Sequence, residues 1–236
     1  MKRIVLGLMA FTMISLSSCI KVNFDETINN NNSGGGTAAD PQDPAANGGI
    51  IQGILTKSYY LPKGKYTLKG YVYVTDGNTI TIAPGSVIVS DITEKGALII
   101  ERGAQLLAEG TSAKPIVFTS NSPVPRSGDW GGIVICGKAQ VNTAFTGTGG
   151  GAGILEVEGG INNSFGDGLA GGGATPNNAD NSGILRYVRI EYAGYAYQPD
   201  KEINSLTMAA VGSGTVIDYV QVTYAKDDAF EWFGGT

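Results

Sequence analysis

Three carboxylates and two large aromatics crowd the stretch "KDDAFEWFGG", residues 226–235. Asp227, Asp228 and Glu231 are residue types that can act as acid and base across a glycosidic bond, or give oxygen ligands to a hard cation. Phe230 and Trp232 offer flat apolar platforms, and Asp228 beside them could accept hydroxyls, a pairing suited to binding a sugar. The competing reading is structural: the aromatics pack at strand ends while the two aspartates solvate a turn. If 224–229 is extended, Asp227 and Asp228 point to opposite faces and cannot both reach one bond. Catalysis therefore ranks behind binding and packing, and those two readings stay open together.

The composition narrows the chemistry further. No histidine occurs in 236 residues, which excludes Ser-His and Cys-His nucleophile pairs and leaves carboxylates, Lys, Arg or Tyr as the possible catalytic groups. A catalytic zinc site is not expected, because its usual ligands are His or several Cys. With 16 basic and 21 acidic residues the net charge is −5, a sign that repels nucleic acid and anionic headgroups, so no nucleic-acid partner is expected. The 36 glycines and 16% charged residues favour turns and sheet over helix.

Elements that would position those residues begin with an export signal. Lys2 and Arg3 precede an apolar run from Ile4 to Ile14 that is too short to span a bilayer, and small residues follow. Leu16-Ser17-Ser18-Cys19 resembles the lipobox of bacterial lipoproteins. That resemblance implies a signal peptide over 1–18, cleavage before Cys19, and acylation of Cys19 as a membrane anchor. Residues 19–52 are rich in Asn, Gly, Asp and Pro and read as a flexible tether, and no cofactor is expected for the chain beyond the calcium considered below. Within it, Lys21, Asp25 and Glu26 faintly resemble the charged signals that send some lipoproteins to the cell exterior. If Cys19 is acylated, Cys136 has no disulfide partner and reads as a small buried hydrophobe.

From about residue 53 the chain becomes short β-rich runs punctuated by glycine. "TITIAPGSVIV" (79–89) and "ALIIERGAQLL" (97–107) align at a shift of 18, with Pro84-Gly85 over Arg102-Gly103. "ILRYVRIEYA" (184–193) and "VIDYVQVTYA" (216–225) align without a gap at 32, and Tyr187/Tyr219, Val188/Val220, Tyr192/Tyr224 and Ala193/Ala225 are identical. Alternation would put Val188, Ile190 and Tyr192 on one face and Tyr187, Arg189 and Glu191 on the other. Arg186, Arg189, Glu191, Asp218 and Gln221 would then form a polar ladder on an exposed sheet face. Repeats with glycine turns and no helical spacer predict an all-β solenoid, a parallel β-helix over 53–236, in preference to an antiparallel sandwich.

At this point "GDWGGIVICGKA", "ADNSGILRYVRIEYAG" and "DYVQVTYAKDDAFEWFGG" resemble a family of Bacteroidetes-type lipoproteins with a right-handed parallel β-helix domain. The resemblance covers roughly residues 60–236. It implies a cell outer membrane location with the lipid as membrane partner, and it implies that the domain continues past Thr236, so the chain is expected to be a fragment. Asp227-Asp228 also resembles the adjacent aspartates of polygalacturonase-type enzymes, but the Gly-His-Gly segment of those enzymes is missing. The expected role is a non-catalytic surface scaffold or a module binding glycan or a partner envelope protein. The alternative is a polysaccharide lyase or hydrolase using Asp227, Asp228 and Glu231.

Two further stretches carry weaker signals. Residues 145–183 are a long glycine- and asparagine-rich excursion whose "GGINNSFGDG" faintly echoes calcium-binding repeats; Glu156, Glu158, Asp167 and Asp180 are its candidate ligands, against a plain loop. Asp218, Asp227, Asp228 and Glu231 are the other oxygen donors that could serve calcium. Trp130, between Asp129 and Gly131, is expected to seal a turn against its neighbour.

Overall fold

The computed structural model describes residues 40, 42–143, 152–198 and 201–236. The signal peptide, Cys19, Lys21, Asp25 and Glu26 lie outside the described residues, as do positions 145–151 of the glycine-rich excursion. Seventeen strands are present among the described residues, and their order explains the repeats. Thirteen of them join edge to edge, every pairing parallel, into one wrapped sheet with three faces.

The strands alternate among these faces as the chain winds. The first face stacks β2 (Tyr59–Leu61), β4 (Thr79–Ile82), β7 (Gln105–Glu109) and the opening halves of β12 (Gly183–Glu191) and β16 (Val216–Thr223). The second stacks the opening halves of β1 (Ile50–Leu55) and β3 (Lys65–Val74), then β5 (Val87–Ser90), β8 (Ile116–Ser120) and the closing halves of β12 and β16. The third stacks the closing halves of β1 and β3 with β6 (Ala97–Ile100), β9 (Ile133–Cys136), β15 (Leu206–Ala209) and β17 (Phe230–Phe233). The architecture is a parallel β-helix, and the sandwich alternative is excluded because no two antiparallel sheets face each other.

Each face contributes a column of inward side chains in exact register along the axis. On the second face the column runs Tyr66, Ile88, Phe118, Ile190 and Val222. On the third it runs Val72, Leu98, Ile133, Leu206 and Phe230. These residues form one continuous core, closed at intervals by Trp130 stacked 6.4 Å from Phe118. Trp130 is fully buried and its indole N–H donates to the Glu191 carbonyl, so it does seal a turn.

Two expectations about the repeats need correction. The 32-residue offset is a true rung, since Val188 pairs with Val220 and Ile190 with Val222. The 18-residue offset is not: Ile80 pairs with Leu106, 26 residues on, and the turn at Pro84-Gly85 joins the first face to the second whereas Arg102-Gly103 joins the third to the first. All glycine corners look alike in sequence because each must reverse a chain through a left-handed φ, +80° at Gly85 and +86° at Gly103. Likewise Tyr187 and Tyr192 do not take opposite faces of a strand. Both sit at corners with φ of +49° and +62°, stacked on Tyr219 and Tyr224 at 4.6 and 4.9 Å. The left-handed residue resets the alternation, so Leu185, Val188 and Ile190 all point inward.

The described part of the excursion, 152–183, is not a free loop. It forms a hairpin of β10 (Leu155–Glu156) and β11 (Leu169–Ala170), and a second hairpin joins β13 (Ala196–Gln198) to β14 (Lys201–Glu202). From these excursions Val157, Ile161, Ala170 and Ile203 cover the outer side of the third face, packing on Tyr73, Ile99, Val134 and Cys136. That face is therefore buried on both sides, which is why β6, β9 and β15 read as unbroken apolar runs. The Tyr71 hydroxyl donates to the Gly159 carbonyl and that of Tyr73 to the Ile161 carbonyl, both at 2.7 Å.

The boundary between tether and domain also shifts. β1 opens at Ile50 rather than 53, and residues 42–49 fold back under the first rung. The Gln42 side chain donates to the Ile54 carbonyl, the Tyr59 hydroxyl donates to Asp40, and Asn47 closes a ring with both backbone groups of Ile50. Polar turn residues signal a tether by composition, yet here they satisfy the open backbone edge of the first coil.

Replacing Tyr73 by Phe tests the cover. The change removes the nearer donor to the Ile161 carbonyl, which keeps the Asn163 amide at 3.4 Å, and removes one of that amide's acceptors, 2.9 Å away. A loss of about 0.5–1.5 kcal/mol in denaturant unfolding is expected, with faster amide exchange concentrated in 155–170.

Candidate functional site

The 226–235 stretch folds as one corner and one strand. After the corner at Tyr224, the Lys226 N–H donates to the Ala193 carbonyl, so the turn starts on the rung below. The Asp228 N–H is shared between the side chains of Asp227, at 2.8 Å, and Asn204, at 2.9 Å. The Asp228 carbonyl in turn accepts the Ser205 N–H. Asp227 and Asp228 thus shape the last turn, with their carboxylates at an exposed corner.

Strand alternation then separates the remaining residues. β17 pairs with β15 in register, Leu206 to Phe230, Thr207 to Glu231 and Met208 to Trp232. Phe230 and Trp232 continue the registers of the inward columns at the last strand, Phe230 half-buried and Trp232 62% exposed, with ring centroids 6.0 Å apart, and Glu231 belongs to the outer side of the third face. There the Thr207 hydroxyl donates to Glu231 at 3.1 Å and the Asn204 side chain also bonds to it. Thr207 and Asn204 are buried. Burial raises the Glu231 carboxyl above its ordinary value, the two hydrogen bonds pull it down, and the charges of Asp228 and Asp227 push it up again.

A cavity of about 740 Å³ opens at the final rung and is lined by Met208, Val211, Ile217, Val220, Phe230 and Trp232. Asp218 is its one carboxylate, and that side chain lies 3.7 Å from Arg186. Asp227, Asp228 and Glu231 do not line it. The aromatic and acidic halves of the stretch therefore face different spaces, so Asp228 cannot act with Phe230 and Trp232 on one ligand in that cavity. Sequence proximity suggested one site, and the two-residue period of the strand divided it.

Cation binding finds no support in the geometry. Among the described residues no three acidic, Cys or His side chains come together as a metal site. Asp167 pairs with Arg102 at 3.0 Å, and Asp180 accepts the Lys138 N–H at 2.7 Å. Glu156 belongs to β10, where Leu155 and Glu156 pair with β11. These groups fasten the excursion to the solenoid, helped by Lys138 and Asp76, which meet at 3.3 Å directly over Gly103. Cys136 is wholly buried beneath the cover, and that burial pushes its thiol up to about 12, so it is not a nucleophile at neutral pH.

The polar ladder is real in part. Arg186 reaches both Glu109 and Asp218, Arg189 pairs with Glu191, and Glu191 also accepts the Thr119 hydroxyl. Arg189, Glu191 and Gln221 form a polar strip on the second face, bounded by the tyrosine corners at 187 and 192. The residues that sequence reasoning missed are Asn204 and Thr207. The 24-residue rung that places them under Asp228 and Glu231 has no identity in 204–209 against 228–233, so no repeat signal marks it.

The geometry defines the class first: a parallel β-helix with a covered third face and a polar second face. A family model for the pectate-lyase-like β-helix domain matches residues 53–236, and the chain belongs to that family. No match was found among curated proteins, and none among solved structures.

Glu231 gives a pH test. Its folded carboxyl lies above the ordinary 4.5, so its stabilising contribution is present below that value and is lost as pH rises through the folded one. Glu231→Gln should therefore unfold later than the parent at pH 7, by less than about 1 kcal/mol given solvent screening, and the gap should close toward pH 4.

Proposed function

We infer that the protein is a lipid-anchored, non-catalytic module of the cell envelope whose β-helix binds a glycan or a partner envelope protein. The observation that carries this reading is the separation of the three carboxylates from the aromatic cavity. Asp227 and Asp228 are engaged in a turn, and Glu231 is held by Thr207 and Asn204 on the outer side of another face. A glycosidase needs two carboxyls flanking one bond, and the cavity holds one, already beside a guanidinium. Binding asks only for a rigid polar surface with aromatic borders. The second face supplies Arg189, Glu191, Gln221 and Thr119 between Tyr187 and Tyr192, five residues or roughly 16 Å of strand apart. The export signal and Cys19 support placement of that surface outside the cytoplasm, at the outer membrane.

One finding favours an enzyme as second reading: membership of a family described as pectate-lyase-like. Fold kinship alone does not carry an activity, because function resides in the site. The two readings part in a glycan-array and turnover screen with and without calcium. Binding without product is expected, unchanged in Asp228→Asn and weakened several-fold in Arg189→Ala. Product formation that disappears in Asp228→Asn would establish the enzyme instead. Mass spectrometry of the native N-terminus should find acyl chains on Cys19, and a bare thiol would remove the anchor.

A further inference from the structure

The net negative charge is not spread evenly along the solenoid. Between Asp43 and Asp76 the chain carries Lys57, Lys63, Lys65 and Lys69 and no acidic residue, while residues 121–236 carry twelve acidic side chains against six basic ones. Lys57 is taken up by Asp40 at 3.1 Å. Lys63 lies in the turn from the first face to the second, Lys65 opens β3 just after it, and Lys114 lies in the same corner two rungs later, between β7 and β8. All three are exposed. Among the described residues, none of the three is within ion-pair distance of a carboxylate.

The intervening corner is Pro84-Gly85, and its glycine leaves space that the lysines share. A Cβ placed on Gly85 would lie 3.6 Å from Lys63 Cε and 3.5 Å from Lys114 Cβ. The two stems therefore converge over one backbone position, although like charges at neighbouring positions repel. Further along the same edge stand Tyr187 and Tyr219, stacked ring on ring. Asp218 precedes Tyr219 and Glu109 pairs in register with Arg186 beside Tyr187, and Arg186 engages both carboxylates.

This edge is a convex corner, and its lysines line neither the 740 Å³ cavity at the final rung nor the one beside Tyr71 and Tyr73. A convex row of ammonium groups cannot enclose a single ion, but it matches an extended layer of anions. Lysines followed by tyrosines with apolar bodies and polar tips also suit the boundary between water and headgroups. We propose that this edge of the solenoid rests on an anionic, phosphate-bearing lipid surface, with Lys63, Lys65 and Lys114 meeting the phosphates. The inference rests on the envelope reading only for bringing such a surface within reach. It also qualifies the expectation from net charge, because screening over about 10 Å lets a local basic edge act apart from the distant acidic rungs.

The test uses residues 19–236, the mature chain on the signal reading, carrying Cys19→Ser so that no acyl chain contributes. Co-sedimentation is measured with phosphatidylcholine vesicles, with and without phosphatidylglycerol, and separately after adding inorganic phosphate or soluble polyuronate. Binding to the anionic vesicles alone is expected, lost in 0.5 M salt. Lys63→Gln/Lys65→Gln/Lys114→Gln should weaken it by about fivefold per lysine, on the order of 100-fold in all, whereas the matching triple Arg variant should bind as the parent does. Equal binding to both vesicles, or a Gln triple variant that binds undiminished, overturns the proposal. So does millimolar phosphate or polyuronate that blocks binding without any effect from sodium chloride of equal ionic strength, which would assign the lysines to a soluble anion. Failure here leaves the glycan screen and the Cys19 mass untouched, so the two readings fail separately.

Discussion

A rung of this protein cannot bury its own apolar side chains. Each inward residue finds its partners one coil above and one below, so stability depends on keeping columns such as Tyr66, Ile88, Phe118, Ile190 and Val222 in register. Strands 4.7–4.9 Å apart bring successive side chains of a column into van der Waals contact. Everything else answers to that constraint. Corners must turn within a few residues without disturbing the next strand, which places glycine, and four tyrosines, in left-handed conformations. Each such tyrosine is supported by stacking on its equivalent one rung away, so a backbone cost at 187 and 192 is offset by ring contact with 219 and 224.

The same constraint leaves only certain places free for function. Inward positions are committed to the core, and the outer side of the third face is committed to the excursions that Tyr71 and Tyr73 hold down. What remains are the outer sides of the first two faces and the edge between them. The second face carries the polar strip proposed to bind a ligand, and the edge beside it carries the lysines proposed to meet lipid. A protein resting on that edge while bound by lipid at its N-terminus would hold its axis along the membrane, with the second face turned away from the acyl chains. The two proposed surfaces adjoin at the Tyr187–Tyr219 corner, which borders the polar strip and ends the row of lysines.

Charge pairing follows the same logic of corners. Arg102 with Asp167, Lys138 with Asp76, and Arg186 with Glu109 and Asp218 each tie one coil to another or to the excursion. Pairs of this exposure contribute little each, and their value lies in fixing where long insertions sit. The carboxylates that a family likeness would offer as catalytic are used in this way or in turn geometry.

The sequence alone determined the all-β solenoid, because runs of Ile, Val and Leu broken by glycine with no helical spacer can be buried only by stacking. It also determined the true rung at 184–193 and 216–225, where four identities survive since both strands feed the same columns and corners. It could not separate one glycine corner from another, so Pro84-Gly85 and Arg102-Gly103 looked equivalent though they sit at different vertices. Nor could it tell that 42–49 closes the first coil, or that the excursion covers β6, β9 and β15, since small polar residues look alike whether they hydrogen-bond to water or to protein. Only the tertiary structure divided "DDAFEW" between a turn, an outer face and the last step of the inward columns, where Trp232 stays exposed, and only it set Asn204 and Thr207 beside Glu231. Those placements arise from pairing between residues 24 positions apart, and a hydrogen-bonded register leaves no mark in sequence when the paired side chains differ.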